Sequence, residues 1–201
     1  MFSCYNAIMI NDSQIYIAVD IEADGPTPGL HSMLSLAAVA TTPEKEIAQF
    51  YRKIQPLKEA TPDPDTMLWW QNQPEAWKEV TTNAEPAEAV MKDFCAWLHD
   101  LNLEPVFVAH PVALDYTFVS YYLYRYAHEN PFTNEKNATR TLDIRSFIAG
   151  KFGVSFNDAH RSRLPAALTE GMPEHTHKAI DDAIGYGVLI RRMLRMDRLP
   201  Q

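Results

Sequence analysis

The chain has 201 residues, of which 46% are hydrophobic and 11% aromatic, a composition that suits one globular domain with a substantial core. Its net charge of −8 argues against a protein that coats nucleic acid by bulk electrostatics, because that mode requires a basic face. Two cysteines are too few for the disulfide framework of a small secreted domain.

The N-terminus lacks a basic region followed by a sustained apolar stretch, so we expect a loose leader at residues 1–13 and no signal peptide. A single domain is expected over residues 14–201. No apolar run approaches the ~18 residues of a membrane span. We therefore expect a cytoplasmic protein with no membrane partner.

An apolar run with an acidic tip, from Ile15 to Glu22, predicts the central strand of a covered sheet. Strand side chains alternate between faces, so Asp20 and Glu22 project to the same side. Folding alone gives little reason to place two carboxylates there, because they repel each other and resist desolvation. A hard divalent cation would supply the reason. The alternative is that both carboxylates are simply solvated before the turn at Gly25-Pro26.

Two further strands are predicted after a rigid loop at residues 24–29. Residues 32–42 form an apolar run typical of a buried strand, and residues 46–54 carry apolar positions among polar ones. The latter pattern indicates an antiparallel strand nearer an edge of the sheet.

The segment from Met67 to Trp77 predicts a short helix interrupted at Pro74. Its three tryptophans allow two interpretations. Stacking on bases would contribute ~1–3 kcal/mol per base. The alternative, which we favour for at least two of the three, is that a helix pins its aromatic rings into the core.

Helices and strands alternate in the second half of the chain. An amphipathic helix is predicted over 86–101, followed by strand, helix, strand and helix, an order that implies a parallel crossover. The predicted bounds of those four elements are 105–110, 113–126, 140–144 and 145–152. Asp143 is interpreted as a helix cap in preference to a supporting acid of a site.

The segment 153–176 lacks clear periodicity and is the most basic local patch, so we expect it to be partly irregular. An amphipathic helix is predicted over 177–195. Arg191, Arg192 and Arg195 suit the negative C-terminal end of that helix better than a nucleic-acid patch.

Three acidic motifs fall where a sheet can gather them: Val19-Asp20-Ile21-Glu22, Ala109-His110-Pro111-Val112-Ala113-Leu114-Asp115 and His177-Lys178-Ala179-Ile180-Asp181-Asp182. Together they resemble the DEDDh group of 3′-5′ exonucleases, which share a His-x-Ala-x-x-Asp pattern in the last motif. The resemblance covers residues 14–195 in order and spacing. The tryptophan segment is further similar to the branch that contains RNase AS and the phage exonuclease DexA, whose members act on RNA or on DNA.

The resemblance implies a ribonuclease H-like α/β fold, with a mixed five-stranded sheet flanked by helices. It also implies hydrolysis of phosphodiesters with two Mg²⁺ or Mn²⁺ ions, releasing nucleoside monophosphates. By the family pattern Asp20 bridges both ions, Glu22 and Asp182 hold the ion on the side of the attacking water, and Asp115 serves the leaving-group side. His177 is the general base, a role that suits an imidazole with an ordinary pKa of about 6.5.

The implied partner is the 3′ end of single-stranded RNA or DNA, and a homodimer is expected because many relatives form one. This chain has Pro111 and Leu114 where many relatives have Asn and Phe, so we expect altered contacts around the site. Asp181 points ~100° away from Asp182 around the helix and would fit the site only in a shifted register.

Three alternatives remain open from the residues. One is a catalytically silent domain that binds nucleic-acid ends or partner proteins. Another is a ribonuclease H-like endonuclease. The third is a zinc site built from His110, His160 and His175, whose spacing matches no pattern typical of zinc ligands.

Overall fold

The acidic strand lies at the centre of a mixed five-stranded sheet, as predicted. The computed structural model describes residues 13–134, 136, 138–174 and 176–197, so the predicted leader, apart from Ser13, lies outside the described residues. In spatial order the strands are third, second, first, fourth and fifth along the chain. Their bounds are β1 (Gln14–Ala23), β2 (Met33–Thr41), β3 (Glu46–Lys53), β4 (Glu104–Ala109) and β5 (Thr141–Asp143).

The strand directions follow the predicted topology. β1 is antiparallel to β2, and β2 is antiparallel to β3, which lies at one edge. β1 is also parallel to β4, and β4 is parallel to β5. The carboxyl ends of β1 and β4 therefore meet at the same end of the sheet.

Helices cover both faces of this sheet. On one face the alternate residues Ile15, Ile17, Val19 and Ile21 enter the larger hydrophobic core, and on the other face Ala18 meets the last helix. Among the described residues, no helix has the length and apolar character needed to cross a membrane. The helices are α1 (Pro64–Gln71), α2 (Pro74–Thr81), α3 (Ala87–Asp100), α4 (Val112–Tyr122), α5 (Ile144–Phe152), α6 (Ala166–Thr169) and α7 (Ala179–Arg195).

The predicted interruption of the helix over 67–77 at Pro74 is confirmed, but the outer bounds are wrong, since α1 begins at Pro64 and α2 ends at Thr81. Both α1 and α2 carry a proline in the first turn, where the missing N–H has no intrahelical partner to lose. Asp63 fixes the start of α1, because its carboxylate accepts a hydrogen bond from the Thr66 N–H at 2.8 Å.

The helix predicted over 113–126 leaves the α conformation at Leu123. It finishes as a π-helical turn (Leu123–Ala127), and His128 then adopts the left-handed conformation with φ 61°. The segment 153–176 is largely irregular, as predicted, apart from α6 and a short 3₁₀ turn (Arg161–Arg163).

α7 approaches β1 and β2 closely because it presents small residues to them. A Cβ atom added to Gly187 would lie 3.1 Å from Val39 Cγ1 and 3.9 Å from Ala18 Cβ. Ala179 and Ala183 are fully buried in the same contact. This close approach holds the first turn of α7 beside the end of β1.

We predict that Gly187→Val lowers the free energy of unfolding by about 1–3 kcal/mol, because the larger side chain would overpack the contact between α7 and β2. Gly150→Ala is the matched control, since nothing lies within 4 Å of a Cβ atom at Gly150 in α5. That substitution should raise the free energy of unfolding by about 0.5–1 kcal/mol. Urea denaturation of the three proteins checks both values, and equal stability of Gly187→Val and the parent would contradict the close approach.

Candidate functional site

Three of the predicted acids are placed by β1 and the start of α4. Asp20 and Glu22 are partly exposed side chains on the same face of β1, as the alternation predicts. Asp115 lies in the first turn of α4 and is only 2% exposed. Its carboxylate accepts a hydrogen bond from the Ile21 N–H at 3.2 Å, which ties it to the segment between Asp20 and Glu22.

The fourth acid, Asp182, comes from the first turn of α7 and is buried. Arg161, from the 3₁₀ turn, donates to the Asp182 carboxylate at 3.1 Å and to the Pro173 carbonyl at 2.8 Å. Asp181 stays outside this group, because its carboxylate accepts a hydrogen bond from the Thr176 hydroxyl. The structure therefore brings Asp182 to the other three acids and leaves its neighbour away from them.

Burial and neighbouring carboxylates raise the pKa values of Asp20, Glu22 and Asp115. Burial and then the charges of Asp115, Glu22 and Asp182 raise the pKa of Asp20 well above its usual range. Burial followed by repulsion from Asp182 and Asp115 raises the pKa of Glu22 to about 8. Burial is also the main reason that the pKa of Asp115 is raised to about 7. Fully ionised, this group is unfavourable without a compensating cation.

The donor set fits a hard divalent cation. Carboxylate oxygens are the ligands that Mg²⁺ and Mn²⁺ prefer. Opposite Glu22 in the ladder of β1 and β2, the buried Ser35 hydroxyl has no hydrogen-bond partner among the described residues. Because directly paired residues project to the same face, this hydroxyl lies on the side of the carboxylates. A hydrated cation would relieve the repulsion and give Ser35 a partner.

His177 precedes α7 and has a left-handed backbone conformation, with φ 57°. Its ring meets the ring of Trp69 edge to face, with the centroids 4.9 Å apart and the planes at 88°. Trp69 is 39% exposed, whereas Trp70 is 1% exposed. The Trp70 indole N–H donates to the Ala23 carbonyl at 3.0 Å, so α1 is anchored one residue beyond Glu22.

A family model described as the 3′-5′ exoribonuclease Rv2179c-like domain matches residues 15–192. The chain belongs to this family. The 3′-5′ DNA exonuclease Cap18 of Escherichia coli is 32% identical over 190 residues, which cover 87% of this chain and 89% of that protein.

Solved structures of exonucleases share the fold of this family member. The nuclease domain of 3′hExo, a DEDDh protein bound to rAMP, has a TM-score of 0.67 at 13% identity. The matched region covers 90% of this chain and 92% of the 3′hExo chain. Exonuclease I of E. coli in complex with a dT13 oligonucleotide has a TM-score of 0.61 at 17% identity. The matched region covers 89% of this chain and 40% of the exonuclease I chain. The predictions of a DEDDh 3′-5′ exonuclease and of a ribonuclease H-like fold are confirmed.

The motif with Pro111 differs from the pattern expected of this DEDDh family, and the structure shows what surrounds it. The bond between His110 and Pro111 is cis. Asp143 accepts hydrogen bonds from the Val112 N–H at 3.2 Å and contacts His110 Nδ1 at 3.0 Å. It also caps α5 by accepting from the Ser146 N–H at 2.8 Å, so the predicted cap is confirmed. Asp143 thus joins α5 to the segment that leads to Asp115.

Two residues beside the acids of this exonuclease were not found from the sequence. Arg161 lies in the irregular segment, where no periodicity links it to Asp182. Tyr186 lies one turn after Asp182 on α7, and its hydroxyl donates to the His110 carbonyl at 2.9 Å. Burial and the charges of Asp20, Asp115 and Asp182 raise the pKa of Tyr186. The i, i+4 spacing from Asp182 is a signal that could have found it.

The His-only zinc interpretation gains no support from the described residues. His110 pairs with Asp143, and His160 Nδ1 lies 2.8 Å from the Ser162 hydroxyl. His175 lies outside the described residues.

We predict that the protein loses stability as the pH rises from about 5.5 to about 8.5 when a chelator removes divalent cations. In the unfolded chain Asp and Glu titrate near 3.9 and 4.3, whereas Asp115 and Glu22 titrate at about 7 and about 8 in the folded protein. The folded protein then holds more protons than the unfolded chain, so the free energy of unfolding falls as the pH rises, by on the order of 5 kcal/mol for the two groups together.

Urea denaturation across this pH range measures the slope, and Glu22→Gln is the informative variant. Because it removes one titrating group, its slope should be shallower and its stability at the highest pH greater than that of the parent. Identical slopes in the two proteins would show that Glu22 is not held in the crowded acidic group.

Proposed function

We propose that this protein hydrolyses single-stranded RNA or DNA from the 3′ end, releasing nucleoside monophosphates, with two Mg²⁺ or Mn²⁺ ions. The observation that carries the proposal is the convergence of Asp20, Glu22, Asp115 and Asp182, whose charges raise the pKa values in the group. Three separate elements, β1, α4 and α7, contribute these acids. If the acids were merely solvated at the end of a strand, nothing would require these three elements to bring them together.

The four carboxylates would hold the two ions. By the family pattern Asp20 would contribute to holding both ions, Glu22 and Asp182 would hold one, and Asp115 would hold the other. When bound, such ions supply Lewis acidity at the attacking and leaving oxygens of a phosphodiester. Arg161 now contacts the Asp182 carboxylate, so it would have to give up or share this contact when Asp182 holds an ion.

His177 acts as the general base by accepting the proton of the attacking water. Its place just before α7 brings it near Asp182 in the chain, and the Trp69 ring packs against it. An imidazole accepts a proton only when it is neutral, so activity should fall in acid as His177 becomes protonated.

The relatives support both classes of substrate. The family model is described as an exoribonuclease domain, whereas Cap18 is a DNA exonuclease. Among proteins that share only the fold, 3′hExo was solved with rAMP and exonuclease I with dT13. The homodimer, the cytoplasmic location and the single domain over 14–201 stay predictions.

Matched 5′-labelled single-stranded RNA and DNA oligonucleotides test the proposal. Incubated with Mg²⁺ or Mn²⁺ and resolved at single-nucleotide steps, they should give a ladder that shortens from the 3′ end. Asp20→Asn should abolish the ladder because it removes the carboxylate assigned to both ions. The oligonucleotide that is degraded faster shows whether the enzyme prefers ribose or deoxyribose.

A second arm uses the same oligonucleotides with a blocked 3′ end. An exonuclease should leave them intact, whereas internal cuts would favour the ribonuclease H-like endonuclease. If neither oligonucleotide shortened while both still bound, the protein would be a catalytically silent domain that binds nucleic-acid ends.

We also predict that Trp69 orients His177. An edge-to-face aromatic contact contributes about 0.5–1.5 kcal/mol, so Trp69→Ala should lower kcat by about 2- to 10-fold. Trp69→Phe should retain most of the rate because it keeps a ring against the imidazole. Measurement of kcat and KM across the acid limb of the pH profile checks this. Loss confined to KM in Trp69→Ala, with an unchanged pH profile, would show that Trp69 acts on substrate binding alone.

A further inference from the structure

A second group of metal-ligating side chains lies on α3, away from the acids. Cys95 and His99 are four residues apart on this helix, and Glu129 meets them from the chain after the π-helical turn. The thiol donates to Glu129 Oε1 at 3.1 Å, and His99 Nε2 lies 3.2 Å from Glu129 Oε2. We call these three residues the Cys95 cluster.

The Cys95 cluster is separate from the catalytic acids. α3 carries none of those acids, and Asp115 and Glu129 lie 14 residues apart in sequence. Most of those residues belong to α4 and the π-helical turn, so the two sites are roughly 20 Å apart along the helix axis.

The backbone on both sides of the Cys95 cluster is held firmly. α3 packs its apolar face into the main core, and Cys95 itself is only 4% exposed. Next to Glu129, the buried Asn130 side chain donates to the Tyr116 and Ser120 hydroxyls and accepts from the Phe132 N–H. In contrast to the buried thiol, the side chains of His99 and Glu129 are both more than half exposed.

The spacing of the ligand atoms suits a tetrahedral ion. One sulfur, one imidazole nitrogen and one carboxylate oxygen lie within 4.8 Å of one another. Around Zn²⁺, with Zn–S near 2.3 Å and Zn–N or Zn–O near 2.0 Å, ligand atoms are about 3.3–3.5 Å apart. The contacts of 3.1 Å from the thiol and 3.2 Å from the imidazole are made to different oxygens of Glu129, so this carboxylate must turn to offer one oxygen to an ion shared with both.

We propose that Cys95, His99 and Glu129 bind a Zn²⁺ ion, with solvent completing the tetrahedron. Thiolate and imidazole ligands select Zn²⁺ over Mg²⁺, whereas the catalytic carboxylates have the opposite preference. Thiolate and carboxylate together neutralise the charge of the ion. Burial and then the Glu129 carboxylate raise the pKa of Cys95 to about 12, so binding near neutral pH should release the thiol proton.

Cobalt titration of the full chain tests the proposal, because Co²⁺ takes the same tetrahedral ligands and reports a bound thiolate by a sulfur-to-cobalt charge-transfer band in the near ultraviolet. The catalytic acids cannot give this band because they include no sulfur. The expected result is a band that saturates at one equivalent and is bleached by Zn²⁺ but not by excess Mg²⁺. Parallel calorimetry in buffers of different ionisation enthalpy should show proton release.

Four variants decide the assignment. Cys95→Ser should abolish the band, and His99→Gln should weaken cobalt binding by at least about 10-fold. Cys4→Ser and Asp20→Asn should leave the band unchanged. Should Cys95→Ser fail to fold, the surface variant Glu129→Gln replaces it. Glu129→Gln should weaken cobalt binding by at least about 10-fold, as expected for His99→Gln.

Absence of the band in the parent protein would overturn the proposal, and so would its loss in Cys4→Ser. Nuclease activity is measured separately on the same variants, so failure of the proposed exonuclease function and failure of the zinc site give different results.

Discussion

Repulsion among the carboxylates at the end of β1 is the constraint on which the rest of the structure depends. The central strand is apolar up to Val19 and then presents Asp20 and Glu22, while a helix on each face of the sheet adds another acid. Such a group is unfavourable in a folded protein unless cations are bound. The fold must therefore hold it rigidly, and the surrounding contacts do so.

Close helix packing holds Asp182 in the group. α7 reaches β1 and β2 because Ala179, Ala183 and Gly187 present almost no side chain to the sheet. A helix with larger residues on this face would stand farther from the sheet and would carry Asp182 away from Asp20. Arg161 then provides a positive charge for Asp182 from a segment with little regular structure, so the same acid links the rigid helix to an irregular segment.

The opposite side of the site depends on aromatic packing. Trp70 is buried, and its indole N–H donates a hydrogen bond to the Ala23 carbonyl. This anchor holds Trp69 at the surface against His177. Neighbouring tryptophans therefore have different tasks: one secures α1 to the tip of β1, and the other contacts the proposed base. The Cys95 cluster lies on α3, away from the acids, and the zinc ion proposed there would give one small domain two kinds of metal chemistry.

Much of the fold and of the acidic site follows from local patterns. Alternation in β1 determined that Asp20 and Glu22 share a face, and helical spacing separated Asp182 from Asp181, because strand and helix geometry act over a few residues. The bounds of α1 and α2 were not predicted correctly, because proline was interpreted only as a residue that interrupts a helix. In the structure Pro64 and Pro74 each begin a helix.

Contacts between distant segments were decided only by the tertiary structure. Arg161 meets Asp182, Trp69 meets His177, and Cys95 meets Glu129 across 21, 108 and 34 residues of sequence. No periodicity encodes such pairs, since they depend on how separately formed helices pack on the sheet. The sequence by itself therefore identified the residues proposed to carry the hydrolytic chemistry, while packing determined which partners contact them and brought together the ligands of the proposed second metal site.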